Sequence, residues 1–130
     1  MIMLEGLFLF FFLLKHTYYD FASRPILDYG VKGCRGCNGC VRTGKCVQAK
    51  GNDPVNFWLE KIIDADGIIL ASPTHFANVS VTMKSFIDRI GWNAIAKRFL
   101  VNKVGAGVVS AAGDGATGCL DAVCYSLYFF

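Results

Sequence analysis

Four cysteines are crowded into one short segment of this 130-residue chain. They are Cys34, Cys37, Cys40 and Cys46, separated by two, two and five residues. The glycines in the same segment are Gly33, Gly36, Gly39 and Gly44. Because glycine accepts conformations that other residues avoid, the backbone here can fold tightly around a small object. Four thiolates converging on one centre are what a 4Fe-4S cluster requires, and the spacing is close to that of cluster-binding loops.

Three other states of these thiols stay open at this point. Zinc also accepts four thiolates, although structural zinc sites more often use two separated pairs. A loop of metal-free thiols and a disulfide-bonded loop are the other two. No acidic residue lies between Lys32 and Gly51, so the segment is positively charged. A positive segment suits an iron-sulfur cluster, whose thiolate ligands give it a net negative charge. The basic residues around the cysteines are Lys32, Arg35, Arg42, Lys45 and Lys50.

The elements that must position this cysteine loop, residues 34–46, alternate between strand and helix patterns. Strands are predicted at 26–31, 67–71 and 104–109, the last two apolar throughout, as in strands buried on both faces. Helices are predicted at 53–63, 78–90 and about 117–127, with N-caps at Asp53 and Asn78 for the first two. Ser72-Pro73 is predicted to end the second strand. The order predicts an α/β fold with a parallel sheet and functional loops at the strand ends.

Composition and charge exclude several classes of protein. Apolar residues make up 54% of the chain and charged residues 18%, which excludes a disordered segment. The net charge is only +3, from 13 Lys and Arg against 10 Asp and Glu, and gives no support to nucleic-acid binding. The length is that of a single domain, residues 1–130.

The amino-terminal residues 1–25 form an atypical apolar segment. Leu7 to Leu14 is an unbroken run of eight Leu and Phe residues, well short of the ~20 apolar residues that a membrane-spanning helix needs. It also lacks the basic flank and the small-residue cleavage site of a secretory signal. We therefore expect a buried strand or helix here, no membrane association, and a reduced cytoplasmic protein.

Two motifs resemble a known family. The first runs from Cys34 to Val47, the second from Ala65 to Ser80, and the helix sequence Met83 to Arg89 follows them. In this order and separation they resemble the NADPH-dependent FMN reductase and iron-sulfur flavoprotein family of the flavodoxin-like superfamily. The likeness extends from about Ile26 to Gly118. The chain looks like a member that is altered at its amino end and truncated at its carboxyl end.

The resemblance implies a flavodoxin-like parallel sheet, incomplete here, with flanking helices and with FMN at the strand ends. It implies that two loops, 72–79 and 111–118, approach the flavin ring, and that the four cysteines bind the metal. The residues predicted to bind FMN are Ser72, Pro73, Thr74, His75, Phe76, Ala77, Asn78, Ala112, Gly113 and Gly115. No residue is singled out as catalytic.

One expected part of the FMN site has no counterpart in the sequence. Flavodoxin-like proteins hold the FMN phosphate in a Gly/Ser/Thr-rich loop at the amino end of the first helix. If Leu7–Leu14 is the first strand, only residues 15–25 precede the next one, and they contain no glycine. The prediction is therefore that the flavin ring is recognised while its phosphate is not.

Three functions follow from these observations. The first is a flavin oxidoreductase that takes electrons from NAD(P)H to FMN, with a 4Fe-4S cluster as a relay to a small-molecule or protein electron acceptor. The second is a non-enzymatic iron-sulfur or zinc module that has lost its FMN phosphate site. The third, a secreted disulfide-bonded domain, is disfavoured by the absence of a clear signal. A homo-oligomer is expected by resemblance.

Three further residues receive structural interpretations. Cys119 and Cys124, on the last predicted helix, are expected to be buried as small apolar side chains. Arg89, next to Asp88, is expected at the helix surface or in a subunit contact rather than in a catalytic pair.

Overall fold

A computed structural model describes residues 31–130 and the backbone of residues 11–14. The predicted strand at 26–31 lies outside the described residues except for Val31, which has no regular structure. The elements in chain order are β1 Phe11–Leu14, α1 Gly39–Thr43, α2 Val55–Asp64, β2 Gly67–His75, β3 Asn78–Val79, α3 Val81–Lys97, β4 Val104–Ser110 and α4 Ala116–Phe129. Within these described ranges, no helix is long and apolar enough to cross a membrane.

Strand β2 is the centre of the sheet. It pairs in parallel with β4, from Gly67 opposite Val104 to Pro73 opposite Ser110. The predicted parallel pairing is therefore confirmed for these two strands. On its other side β2 pairs with β1 in the antiparallel direction, so that the described sheet is mixed rather than wholly parallel. Antiparallel pairing satisfies the backbone of β2 without the crossover of a dozen or more residues that a parallel β1 would require.

Helix α2 begins one residue later than predicted: its N-cap is Pro54, so the predicted N-cap at Asp53 is wrong. The Asp53 carboxylate accepts the Val55 N–H at 3.1 Å, which satisfies one of the free amides of the first turn. The apolar face of α2 is buried, and Trp58 meets Phe86 of α3 edge to face with 5.5 Å between ring centroids. This contact joins α2 and α3 in the main core, where Ile62 and Met83 are also fully buried.

Helix α3 starts later than predicted. Its N-cap is Ser80, whose hydroxyl accepts the Met83 N–H at 3.2 Å, and the predicted cap at Asn78 is wrong. Asn78 instead belongs to β3, which pairs with the end of β2 in a tight hairpin. Because the hairpin occupies these residues, the first residue free to cap α3 is Ser80.

The end of β2 also differs from the prediction. The strand does not stop at Ser72-Pro73 but continues to His75. Proline is tolerated there because it lies at the last position of the parallel pairing, where the loss of one N–H donor disrupts little of the ladder.

Strand β4 is covered on one face only. Gly105 and Gly107 lie against Leu127 and Val123 of α4, and a Cβ on Gly107 would come within 2.9 Å of Val123. On the opposite face Val104 and Val108 are 69% and 53% exposed. The prediction of a strand is confirmed, whereas burial of both its faces is wrong for the part of the chain that the structure describes.

Candidate functional site

Two loops meet at the carboxyl ends of the parallel strands β2 and β4. The tip of the β2–β3 hairpin is formed by Phe76 and Ala77, both at positive φ. A Cβ on Gly115 would lie 2.6 Å from the Ala77 Cα, and one on Gly118 would lie 2.6 Å from the Ala77 carbonyl oxygen. Only glycine therefore permits this approach. In open α/β sheets, ligands bind outside the carboxyl ends of the strands, where these two loops lie.

The base of the hairpin is braced by side chains. The Ser72 hydroxyl accepts the Ser80 N–H at 3.1 Å and donates to the Pro73 carbonyl at 2.9 Å. The Cys119 thiol of α4 lies 3.8 Å from the same carbonyl. The backbone of the hairpin is thus fixed to both α3 and α4.

Thr74 stands out within this hairpin. Its hydroxyl is buried and has no hydrogen-bond partner among the described residues. Buried polar groups are normally satisfied, so an unpaired hydroxyl at the ends of the parallel strands is suited to bind a polar ligand atom.

The remaining residues predicted to bind FMN fall into two groups. His75, Ala77 and Asn78 are exposed around the hairpin tip, and Phe76 is fully exposed. In the second loop, Gly115 contacts the hairpin, whereas Ala112 and Gly113 are exposed, and a Cβ on Gly113 would meet no atom within 4 Å. The structure thus brings the hairpin together with one end of the glycine loop.

The cysteine loop is folded as tightly as its glycines predict. A Cβ on Gly39 would lie 2.4 Å from a methyl carbon of Val47, and Gly36 and Gly44 have positive φ. Gly33 has neither a close neighbour nor a positive φ, so the argument from glycine applies to three of the four.

Cys46 is the anchored member of the four cysteines. It is 5% exposed, and the Asn56 side chain of α2 accepts its N–H at 2.7 Å and donates to its carbonyl at 3.1 Å. The sulfur accepts a hydrogen bond from Arg89 Nε of α3 at 3.1 Å. Asn93, one turn further along α3, donates to the Gly44 carbonyl at 2.8 Å. The loop is therefore docked on two helices.

The position of Arg89 differs from the expectation that it lies at the helix surface or in a subunit contact. It is 2% exposed, and it is neither a helix-surface residue nor free for a subunit contact. Burial works against its charge, but hydrogen bonds to Cys46 and Asp53 raise the pKa of the guanidinium above its usual value. One signal could have identified it: Arg89 falls three residues after Phe86, on the apolar stripe of its helix, where a charge requires a partner.

The other three thiols of the loop have local partners. Cys34 Sγ accepts the Gly36 N–H at 3.4 Å, and Cys37 Sγ accepts from Gln48 Nε2 at 3.5 Å. Hydrogen bonds from the Gly39 backbone and Gln48 lower the pKa of Cys37. Burial, followed by repulsion from Cys46 and then Cys34, raises the pKa of Cys40.

The donor set fits a thiolate-bound metal in its chemistry. All four cysteines of the loop are free thiols, and the pKa of Cys40 is influenced by two of the others. Among the described residues, however, no three His, Cys, Asp or Glu side chains are gathered closely enough to hold a metal ion. The loop therefore contains thiols of suitable chemistry, but in this structure no three of these sulfur atoms gather at one point.

A cleft of about 240 Å³ opens beside the cysteine loop. It is lined by Lys32, Gly33, Arg35, Gln48, Asp53 and Arg89. Three cations face one carboxylate there, which agrees with the positive charge read from the sequence.

The cysteines of α4 differ from each other. Cys119 is fully buried, as expected, but Cys124 is exposed. The two are five residues apart and do not share a helix face.

The fold defines a flavodoxin-like α/β protein in which two loops pack together at the carboxyl ends of the parallel strands. Residues 19–128 match the family model described as NADPH-dependent FMN reductase, and the chain belongs to this family. No solved structure matches the chain significantly.

The names of three curated relatives refer both to a flavin and to an iron-sulfur centre. Two iron-sulfur flavoproteins of Archaeoglobus fulgidus are 36% identical over 84 residues and 38% identical over 105 residues, which are 65% and 78% of this chain and 40% and 44% of theirs. An iron-sulfur flavoprotein of Methanocaldococcus jannaschii is 40% identical over 87 residues, 67% of this chain and 43% of its own. The chain thus spans less than half the length of these relatives.

Proposed function

We propose that this protein is a flavin-dependent oxidoreductase that passes electrons from NAD(P)H through FMN to a small-molecule or protein acceptor. The observation that carries the proposal is the close packing of Ala77 on Gly115 and Gly118, which joins the two predicted flavin loops at the carboxyl ends of β2 and β4, where open α/β sheets bind ligands. The family to which the chain belongs supports the same activity.

The chain's own residues would orient the flavin ring at these two loops. The exposed backbone of 75–78 supplies amides and carbonyls to the ring, Phe76 supplies an apolar face, and Thr74 supplies an unpaired hydroxyl. FMN, when bound, supplies the acceptance of hydride and the release of single electrons. The two packed loops hold these groups in a fixed relative position and exclude water from one side of the ring.

A 4Fe-4S cluster held by Cys34, Cys37, Cys40 and Cys46 is the second part of the proposal. The names of the relatives support it, as does the density of thiols within one loop. The cluster supplies one-electron transfer, and the loop's basic residues balance the negative charge of its ligands. Because thiolates must stay reduced to serve as ligands, we propose a cytoplasmic protein, and a homo-oligomer by family resemblance.

Anaerobic purification tests the cofactors directly. Iron, sulfide, zinc and FMN are measured in the protein reconstituted with FMN, iron and sulfide, and NADH and NADPH are then added. We expect FMN and about four irons per chain, with bleaching of the flavin spectrum by one of the two nucleotides. Iron or zinc without flavin binding would instead indicate the non-enzymatic metal module.

Single substitutions test which cysteines hold the metal. We expect Cys34→Ala, Cys37→Ala, Cys40→Ala and Cys46→Ala each to abolish stable iron binding. Cys124→Ala is the control, since this exposed thiol lies outside the loop. Unchanged iron content and spectrum after replacement of all four loop cysteines would refute the cluster.

A further inference from the structure

One buried guanidinium joins three segments around the cysteine loop. Arg89 Nε lies 3.1 Å from Cys46 Sγ, Nη1 donates to the Lys32 carbonyl at 2.9 Å, and Nη2 pairs with Asp53 Oδ2 at 2.9 Å. Lys32 lies in the irregular segment before the loop, Cys46 lies inside the loop, and Asp53 directly precedes the N-cap of α2. Each of the three guanidinium nitrogens thus has a separate acceptor.

Cys46 differs from the other three cysteines in its partners. Its backbone is held on both sides by the Asn56 amide, and its sulfur is held by a residue 43 positions away. The sulfur atoms of Cys34 and Cys37 accept hydrogen bonds from Gly36 in the loop and from Gln48 just after it. Cys46 is therefore fixed by the fold, whereas the other thiols depend on the loop itself.

From this geometry we infer that Arg89 is a positioning residue that fixes the sulfur of Cys46 as the pre-oriented ligand of the metal centre. The inference rests on the proposed cluster for its functional meaning, while the positioning itself concerns only residues of this chain. Hydrogen bonds to ligand sulfurs tune the reduction potential of iron-sulfur centres. A donated N–H and a fixed positive charge both favour the reduced, more negative cluster.

The hydrogen bond from Arg89 Nε distinguishes positioning of the Cys46 sulfur from a role that only links α3 to the neighbouring segments. The two terminal nitrogens already link α3 to Lys32 and Asp53, which would suffice to hold the loop entrance. The third nitrogen is aimed at the sulfur rather than at a backbone carbonyl. The charge of the guanidinium is already balanced by Asp53, so charge balance does not account for the contact between Nε and the sulfur.

The first experiment measures positioning in the metal-free, reduced protein. Thiols are alkylated with iodoacetamide, and the modified sites are mapped by mass spectrometry over time. We expect Arg89→Gln to increase the alkylation rate of Cys46 at least tenfold, while Arg42→Gln, which removes one exposed charge from the same loop, leaves it within twofold. Cys119, which is fully buried in the core, is the internal reference for global unfolding.

Arg89→Lys provides a second variant in case Arg89→Gln unfolds. Lysine retains the charge but offers one nitrogen where three acceptors stand apart. We expect Arg89→Lys to expose Cys46 to alkylation while Cys119 stays protected. If Cys46 remains as protected as in the wild type in a folded Arg89 variant, the positioning role is wrong.

The second experiment measures the reduction potential of the reconstituted cluster. We expect Arg89→Gln to shift the ratio of oxidised to reduced cluster at least tenfold towards oxidised at a fixed potential, which is 59 mV for a one-electron couple. Arg42→Gln should shift it by less than half as much. Equal potentials in both variants would overturn the inference while leaving the cluster intact. Failure of the wild type to retain iron would instead contradict the proposed function, and alkylation would still decide the role of Arg89.

Discussion

At the scale of single residues, the buried hydroxyl of Thr74 is the strongest mark of a ligand in the hairpin. Its neighbours Ser72 and Ser80 have hydrogen-bond partners, and Thr74 has none among the described residues. A buried polar group without a partner costs about 1–3 kcal/mol. That cost is removed if a polar atom of the flavin ring completes the bond.

We predict that Thr74→Val has opposite effects on stability and on flavin binding. Valine has nearly the same shape and suits a strand, so removal of the unpaired hydroxyl should raise the free energy of unfolding of the flavin-free protein by about 1 kcal/mol. The same change should weaken FMN binding about fivefold, or roughly 1 kcal/mol. Chemical denaturation and fluorescence titration measure the two effects.

The contrary result is equally clear. If Thr74→Val destabilises the flavin-free protein and leaves FMN affinity unchanged, the hydroxyl has a structural partner and does not face the ligand.

The residues of the cysteine loop were predictable from the sequence to different degrees. The four thiols and their glycines are adjacent in the chain, so their spacing alone identifies the loop. The docking partners Asn56, Arg89 and Asn93 come from α2 and α3, and only the folded chain brings them to it. A buried cation was misassigned to the surface because charged residues are usually exposed.

At the scale of elements, periodicity predicted the helices and failed at the junction between β2 and α3. The apolar stripes of α2 and α3 extend over several turns and leave little ambiguity. The second strand of the hairpin has only two residues, too few to show an alternating pattern. Proline usually marks the end of a strand, so Pro73 gave no indication that β2 continues to His75. This junction forms half of the candidate flavin site.

We predict that the contact between the two ligand loops tolerates no side chain at Gly118. Its Cβ would lie 2.6 Å from a backbone oxygen of the hairpin, so Gly118→Ala must separate the loops. We expect a loss of about 1–3 kcal/mol in the free energy of unfolding and at least tenfold weaker FMN binding. Thermal denaturation and FMN titration provide the measurements.

Gly113→Ala is the matched control for stability, five residues before Gly118. Its Cβ would meet no atom within 4 Å, so the free energy of unfolding should change little. If Gly118→Ala destabilised the protein no more than Gly113→Ala, the close contact at Gly118 would not be needed to hold the two loops together.

We predict an analogous pair of effects in the cysteine loop. Gly39→Ala would place its Cβ 2.4 Å from a methyl carbon of Val47, whereas Gly33→Ala would meet no neighbour. Gly39→Ala should therefore lower the iron content of the reconstituted protein, and Gly33→Ala should not. Because the clash is with one side chain, Val47→Ala in the same protein should restore iron; no restoration would mean that Gly39 is needed for another reason.

At the scale of the whole molecule, the sheet is less enclosed than its sequence predicts. The run at β4 has the apolar character of a strand buried on two faces, but α4 covers only the face that carries Gly105 and Gly107. The apolar sequence of a strand shows that both its faces could be buried, but it does not show which elements pack against them. For that reason the pairing direction of β4 was predictable, and the exposure of Val104 and Val108 was not.

The predicted FMN site has a part for the flavin ring and a part for the phosphate. The hairpin and the glycine loop, which are predicted to contact the ring, pack against each other in the structure. The phosphate part was expected between residues 15 and 25, which lie outside the described residues and contain no glycine. Phosphate contacts at a helix amino terminus normally supply much of the binding free energy of a nucleotide.

We therefore predict that this chain binds FMN at least tenfold more weakly than a longer relative carrying a phosphate loop, a difference of roughly 1.4 kcal/mol or more. Riboflavin has the same ring without the phosphate, so it should bind this chain nearly as tightly as FMN does. Parallel fluorescence-quenching titrations with the two flavins measure the ratio, and the longer relative serves as the control that prefers FMN. A strong preference of this chain for FMN would show that another segment binds the phosphate, because an intact ring site alone cannot distinguish the two ligands.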